Sequence, residues 1–288
     1  MKRIIYDCDN TFGIKDCDVD DGLALIYLLG SKEAELLGVS TTYGNNRTDV
    51  VFENTKRMLR DLGRTDIPLK KGGLSKGDYN SEAADFLVET AQHFKGELSI
   101  LATGSMTNLG AAHKKDRNFF KNVKEIVMMG GITSPLVFEK KIMDELNLSC
   151  DPEAAEDILI NGKNVSVITG NNCTKVLFEK SEYRKILMDS DKKIASYILS
   201  ETDSYFSYND DCYGIKGFYN WDVTAAVYLM HPELFYDRIG SFNIKTDDLN
   251  TGFLRCENPG NCMLNLPEVK ETASFKDSIY KTWFRVEM

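Results

Sequence analysis

The chain has 288 residues, 42% of them hydrophobic and 27% charged, which is enough to bury a substantial core. A net charge of -9 weighs against a nucleic-acid groove or an anionic membrane surface. No apolar run approaches the roughly 18 residues that cross a bilayer. Seven scattered cysteines without a CxxC pair, behind an N-terminus that enters a strand with no signal-like pattern, are read as reduced thiols in a cytoplasmic protein.

In chain order, Lys2 to Cys8 reads as a buried strand from its β-branched and aromatic content, and Gly22 to Leu29 as a helix apolar on nearly every side. Leu36 to Tyr43 is a second strand, and Asp49 to Leu62 an amphipathic helix. Ile67 to Leu69 is a short strand, Ser81 to Phe94 a helix, Leu98 to Ala102 a strand, and a helix starts at Met106. Val123 to Met129 is a strand closed by Gly130-Gly131, after which Ile132 to Glu145 breaks the rhythm as an excursion or hairpin. Asp151 as N-cap and Pro152 at the first helical position open a helix to Ile160. Asn164 to Thr169 is strand-like, and Ser181 to Ser207 reads as one helix. Aromatic residues then lead to Asn220-Trp221-Asp222 and an apolar helix from Val223 to Leu229. Short alternating strands fill Gly240 to Glu268, and a last helix runs from Ser274 to Val286. The alternation predicts a single α/β domain spanning 1–288, with a mainly parallel open sheet and helices on both faces.

Six carboxylates, at Asp7, Asp9, Asp16, Asp18, Asp20 and Asp21, fall within fifteen positions between the first strand and the first helix. So many like charges repel one another unless a cation or solvent intervenes, and Asp9 with Asp20-Asp21 forms an oxygen-rich set suited to Ca²⁺ or Mg²⁺. Aspartates also cap helix N-termini, which is the structural alternative for Asp18, Asp20 and Asp21. Ligands of open α/β sheets bind at the carboxyl ends of strands, a rule that selects Asp7, Asp9, Asn45, Thr103, Met129 and Asn171-Asn172.

Two families share parts of this pattern. Asp7-Cys8-Asp9-Asn10-Thr11 resembles the DxDxT motif of haloacid-dehalogenase-like Mg²⁺ phosphatases, with Asp7 as nucleophile and Asp9 as acid/base. That family also needs a late strand ending in an acidic pair, whereas the candidate strand ends in Met128-Met129-Gly130-Gly131. A longer series runs from Asp7 to Asp222. It comprises Asp7-x-Asp9, Asp20-Asp21-Gly22-Leu23-Ala24-Leu25, Thr42-Tyr43-Gly44-Asn45 and Ala102 to Asn108, followed by Val127 to Gly131, Glu145-Leu146-Asn147, Asp151 to Ala155 and Trp221-Asp222. In type, order and approximate spacing it resembles the inosine-uridine-preferring nucleoside hydrolases, whose fold has a Rossmann-like core.

The resemblance implies Ca²⁺-dependent hydrolysis of ribonucleosides to ribose and free base. It implies a Ca²⁺ held by Asp9, Asp21, the Thr103 carbonyl and Asp222, with Asp9 also activating water as general base. It further implies ribose contacts from Asp20, Asn45, Glu145 and Asn147, an apolar contact from Met129, a base-side wall from Trp221, and a homodimer or homotetramer. Bland readings stand beside these: Asn45 as a turn residue, Met129 as core, Glu145 and Asn147 as loop polarity, Asp222 as a helix cap. A non-catalytic nucleoside- or ribose-binding protein is the third class.

The chain departs from the family pattern in two places. The family writes its first motif compactly as DxDPGxDD, whereas Asn10 to Val19 here separates Asp9 from Asp20, so Asp18 competes with Asp9 as ligand or base. Trp221 replaces the histidine that often precedes the late aspartate, and His93, His113 and His231 fall on helices away from every motif, which leaves the leaving-group acid unassigned.

Overall fold

The apolar runs pair into one eight-stranded sheet in the computed structural model, which describes residues 1–288. Numbered along the chain, its strands are β1 (Lys2–Cys8), β2 (Ala34–Thr41), β3 (Leu69–Lys71), β4 (Leu98–Ala102), β5 (Val123–Met129), β6 (Val165–Ile168), β7 (Ile239–Phe242) and β8 (Cys262–Asn265). Their spatial order is β7-β8-β6-β5-β4-β1-β2-β3, and every pair is parallel except β7 with β8. This is the expected α/β architecture, a single domain with helices on both faces of the sheet.

The strand order fixes where a ligand can sit. From β1 the chain first moves outward to β2 and β3, then returns to lay β4, β5 and β6 on the other side. The crossover helices therefore diverge at the β1/β4 boundary and leave a crevice at the carboxyl ends of those two strands. Parallel register brings Asp7 level with Ser40 and Ala102. Beyond the ladder, the Thr103 N–H donates to Asp7 O (2.8 Å) and the Thr42 N–H to Cys8 O (2.9 Å), so Asp9, Thr42 and Thr103 emerge side by side.

Side-chain alternation splits β1 between two cores. Ile4, Tyr6 and Cys8 face a core built with the helices Asp20–Gly30, Trp221–Met230 and Thr272–Trp283, while Ile5 faces a second core with Glu82–His93, Thr107–Lys115 and Pro152–Asn161. The all-round apolar helix Asp20–Gly30 is accordingly buried along nearly its whole length. A Cβ at Gly30 would lie 2.0 Å from the Thr282 carbonyl oxygen, and the Trp283 indole N–H donates to Leu23 O at 3.0 Å.

Three local expectations change. The helix expected over Ser181 to Ser207 is two, Lys180–Met188 and Lys193–Tyr213, broken at the polar run Asp189-Ser190-Asp191-Lys192, whose short side chains compete for backbone hydrogen bonds. The second continues to Tyr213 and stops at Gly214, whose φ of 77° is the left-handed C-terminal conformation glycine adopts without strain. Strands of two or three residues, Leu177–Glu179 with Gly217–Tyr219 and Phe235–Tyr236 with Glu268–Val269, are too short to leave a periodic signal.

Candidate active site

The end of β1 carries the floor. Asp9 is fully buried; its Oδ2 accepts the Asn45 N–H at 2.5 Å, while Oδ1 has no partner. Gly44 makes this approach possible, because a Cβ there would sit 2.0 Å from Asp9 Oδ2. Asp21, from the first turn of its helix, accepts the Tyr6 hydroxyl (3.1 Å) and the Thr103 hydroxyl (2.7 Å) at Oδ1, and its Oδ2 is buried without a partner. Asp20 Oδ2 accepts the Asp222 N–H at 3.0 Å, joining two chain segments 202 residues apart.

Asp7 lies beneath Asp9, on the face of β1 that carries Ile5. It accepts the Ser40 hydroxyl and the Asn108 amide (2.8 Å), and it does not line the cleft. Asp7 thus braces the strand end through Oδ1, while its Oδ2 is buried without a partner.

Above the floor opens a cavity with ≈ 500 Å³ of empty space. Asp20, Asn45, Thr103, Met129, Glu145, Asn147, Trp221 and Asp222 all line it, so eight of the ten residues singled out from sequence share one wall, with Asp9 and Asp21 beneath. A second cavity of ≈ 840 Å³ adjoins it and is walled by Tyr205, Tyr208 and Tyr213 of the long helix and by Cys17 of the inserted loop. Its roof is the excursion foreseen at Ile132 to Glu145, a hairpin pairing Leu136–Val137 with Ile142–Met143. Phe138 packs against Tyr213 and Tyr219 at ring separations of 6.0 and 5.9 Å, and Lys140 Nζ donates to Asp210 O at 2.6 Å.

Electrostatics at the floor are one-sided. No lysine, arginine or histidine lines either cavity. Burial, then the charge of Asp21, pushes the Asp9 carboxyl well above its ordinary range; burial and neighbouring carboxylates do the same to Asp20 and Asp222. Burial raises Asp7 to about 7, with the Ser40 and Asn108 hydrogen bonds opposing, and raises Asp21 to about 6 against hydrogen bonds led by Thr103.

Three buried carboxylate oxygens lack donors, Asp7 Oδ2, Asp9 Oδ1 and Asp21 Oδ2; in a site with no cationic side chain, the two beneath the cleft, on Asp9 and Asp21, fit a hard cation. No three acidic, cysteine or histidine side chains gather closely enough to enclose one alone. An ion beside Asp9 and Asp21 would therefore need backbone carbonyls and smaller oxygen donors to complete its shell.

The model of the inosine-uridine preferring nucleoside hydrolases matches residues 4–274. The chain belongs to that family. As a nucleoside hydrolase it is an enzyme acting on N-glycosyl bonds. It is 28% identical over 305 aligned positions to the Arabidopsis thaliana protein named probable uridine nucleosidase 2, covering 96% of this chain and 90% of that one. It is 24% identical over 260 positions to the pyrimidine-specific ribonucleoside hydrolase RihA of Citrobacter koseri, covering 81% and 80%. Among solved structures, a plant nucleoside hydrolase, PpNRh1, superposes with a TM-score of 0.85 at 24% identity, over 98% of this chain and 99% of that one. The purine-preferring ribonucleoside hydrolase from Gardnerella vaginalis does so at 0.85 and 22%, over 99% of both. At these identities the structural likeness establishes the shared fold.

Within this nucleoside hydrolase, Glu145 differs most from expectation. Its Oε1 accepts the N–H groups of Gly131 (3.0 Å) and Leu148 (2.8 Å), and its Oε2 accepts that of Ser149 (2.9 Å). The carboxylate is spent on its own loop and shapes the cleft wall. Asn147 donates to Met129 O at 3.1 Å and keeps its amide oxygen available. Met129 is a cleft residue and not sealed in the core.

The histidines stay away from the cleft, with His113 on Asp157 (2.7 Å) and His231 on Glu233 (2.9 Å). Sequence reading did not single out Asn220, whose amide oxygen and nitrogen are both buried without partners beside Trp221. It also gave no role to Leu136, Met143 or Leu146 of the roof. Nothing in their local pattern marks them.

Proposed function

We propose that this nucleoside hydrolase splits ribonucleosides into ribose and free base, with Ca²⁺ as cofactor. The observation that carries the reading is the pair of unpartnered oxygens, Asp9 Oδ1 and Asp21 Oδ2, buried beneath a cleft walled by polar residues. The implied ligands are Asp9, Asp21, the Thr103 carbonyl and Asp222. When bound, Ca²⁺ supplies the positive charge that offsets these carboxylates and acidifies and orients a water.

The protein's own groups divide the remaining work. Asp9 is held through Oδ2 by the Asn45 N–H, which leaves Oδ1 to take the proton of the water that attacks the anomeric carbon. Bond breaking is oxocarbenium-like, with the glycosidic electron pair leaving on the base. Asp20, fixed through one oxygen by the Asp222 N–H, offers its other oxygen to a ribose hydroxyl, and Asn45 and Asn147 offer amides. Met129 packs against the sugar and Trp221 against the base. The aromatic outer cavity suits a planar base.

The test is release of reducing sugar from a panel of nucleosides, headed by uridine because sequence relatives carry that name, with and without chelator. Turnover abolished by chelator and restored by Ca²⁺ supports the reading. If no nucleoside is cleaved while wild type and Asp9→Ala bind ribosides equally, the chain is a binding protein instead. No helix is long and apolar enough to cross a membrane; the seven unpaired cysteines suit a reducing compartment, and a cytoplasmic location is proposed with them. A homodimer or homotetramer is the assembly proposed from the family, checked by light scattering.

A further inference from the structure

The loop Asn10 to Val19, which lengthens the family's compact first motif, is an ordered part of the site. Phe12 is fully buried against Gly22, where a Cβ would meet its ring at 2.4 Å, and lies 5.7 Å from the Tyr197 ring. Asn54 and Arg57 donate to the Phe12 carbonyl at 3.2 and 2.8 Å, and Arg57 pairs with Glu201 at 3.1 Å. The Thr11 hydroxyl donates to Asp18 O at 2.7 Å, so the loop is closed at its base. Of the loop's side chains, Asp16 and Cys17 reach the outer cavity, and Asp18 alone reaches the inner one as well.

Asp18 sits where the two cavities meet and lines both. The inner one holds the expected sugar contacts and the outer one the tyrosines, so a nucleoside laid across them places its glycosidic nitrogen at that junction. Two other acids line the junction. Glu145 has both oxygens committed to backbone N–H groups, and Asp144 is exposed on the hairpin without a hydrogen bond to hold it. Asp18 is partly buried, has no basic partner, and accepts the Tyr205 hydroxyl at Oδ1 only, which leaves Oδ2 for the cleft.

We propose that Asp18 is the catalytic acid for the departing base and that Tyr205 is its positioning residue. This rests on the nucleoside hydrolysis proposed above. The C1′–N bond breaks and its electron pair passes to the base; the Asp18 Oδ2–H bond breaks and its proton goes to a ring nitrogen or carbonyl oxygen of the base. The attacking water gives its oxygen to C1′ and one proton to Asp9, and exchange with solvent returns Asp9 and Asp18 to their starting states. The Tyr205 hydroxyl stabilises the Asp18 carboxylate left behind. The assignment supplies, from an aspartate on an inserted loop, what the missing histidines do not.

The test compares kcat and KM of wild type, Asp18→Asn and Tyr205→Phe, in calcium-containing buffer, on uridine, inosine and 4-nitrophenyl β-D-ribofuranoside, whose leaving group departs without a proton. Asp18→Asn keeps the shape and the Tyr205 hydrogen bond while removing the transferable proton. Its kcat on nucleosides is expected to fall by about 10²–10⁴, and on the nitrophenyl riboside by less than about tenfold. Tyr205→Phe is expected to shift the same ratio in the same direction by about tenfold. It decides the matter should Asp18→Asn not fold. Equal losses on both substrate types, or unchanged nucleoside turnover, overturn the assignment alone. A wild type that cleaves no riboside overturns the proposed function and the assignment with it.

Discussion

The floor and the roof of the cleft are built on different principles. Floor residues Asp9 and Thr103 project from the ends of adjacent strands in the middle of an eight-stranded sheet, and Asp7 beneath them is tied to Ser40 and Asn108. The roof is a hairpin of two-residue strands that rests on the end of one long helix through Phe138 and Lys140. The floor collects charges that destabilise one another and relies on the sheet to hold them. The roof contributes shape, and little of the fold depends on it. Charge that must be aimed sits on rigid elements, while selectivity sits where repacking is cheap.

The largest break in that contrast is at Asp9. Asp9→Ala is expected to lower kcat by about 10³ or more, as loss of both a base and a metal ligand. Nucleoside turnover within about tenfold of wild type would remove Asp9 from the chemistry.

Next is Asn108, which donates to Asp7 Oδ1 and Thr41 O and accepts the Gly73 N–H at 3.0 Å. Asn108→Ala removes the side-chain partner of the Thr41 carbonyl and the Gly73 N–H and leaves Asp7 Oδ1 with Ser40 alone, and is expected to cost about 2–4 kcal/mol, read from urea unfolding. A loss below about 0.5 kcal/mol would mean that the floor is not braced from beneath.

Metal removal gives a smaller, pH-dependent effect whose sign is fixed. Folding raises Asp7 to about 7 and Asp21 to about 6 from an ordinary 3.8, so the fold favours their protonated forms. In chelator, the stability they contribute is fully present below about pH 4 and drains away as pH rises through 6 to 7. The metal-free protein should therefore melt higher at pH 5 than at pH 8, and added Ca²⁺ should raise Tm more at pH 8. A Ca²⁺ shift equal at both pH values would argue against Asp21 as a ligand.

The roof yields the smallest change. Phe138→Ala, by loosening the hairpin from Tyr213 and Tyr219, should raise KM about three- to tenfold with kcat within about twofold. A drop in kcat equal to that of a floor variant would show that the roof takes part in the chemistry.

How far the sequence reached follows the same division. β1, β4 and β5 were legible to the residue because buried parallel strands are nearly continuous apolar runs, and the floor residues follow from where those runs end. Glu145 was legible as a cleft residue, but its capture by three N–H groups of its own loop was not, since such bonding leaves no periodic trace. Tyr205 is one of the aromatic residues that lead to Asn220, and nothing local sets it apart; its partner Asp18 lies 187 residues away, a separation no local pattern spans. The break at Asp189 to Lys192 was missed because the apolar spacing resumes on its far side in nearly the same phase.

The Thr11 hydroxyl bond to the Asp18 carbonyl makes the inserted segment a cassette closed at its neck. Its tip, from Gly13 to Asp16, is largely exposed, whereas the neck is anchored through Phe12 in the core. Gly13 is held by its φ of 80° and by Glu201, which lies where a Cβ would go, but Ile14 and Lys15 are free to be exchanged, or lengthened to reach over a bulkier aglycone, while the strand ends below keep their geometry. For an engineer, this is the place to retune substrate range without rebuilding the enzyme.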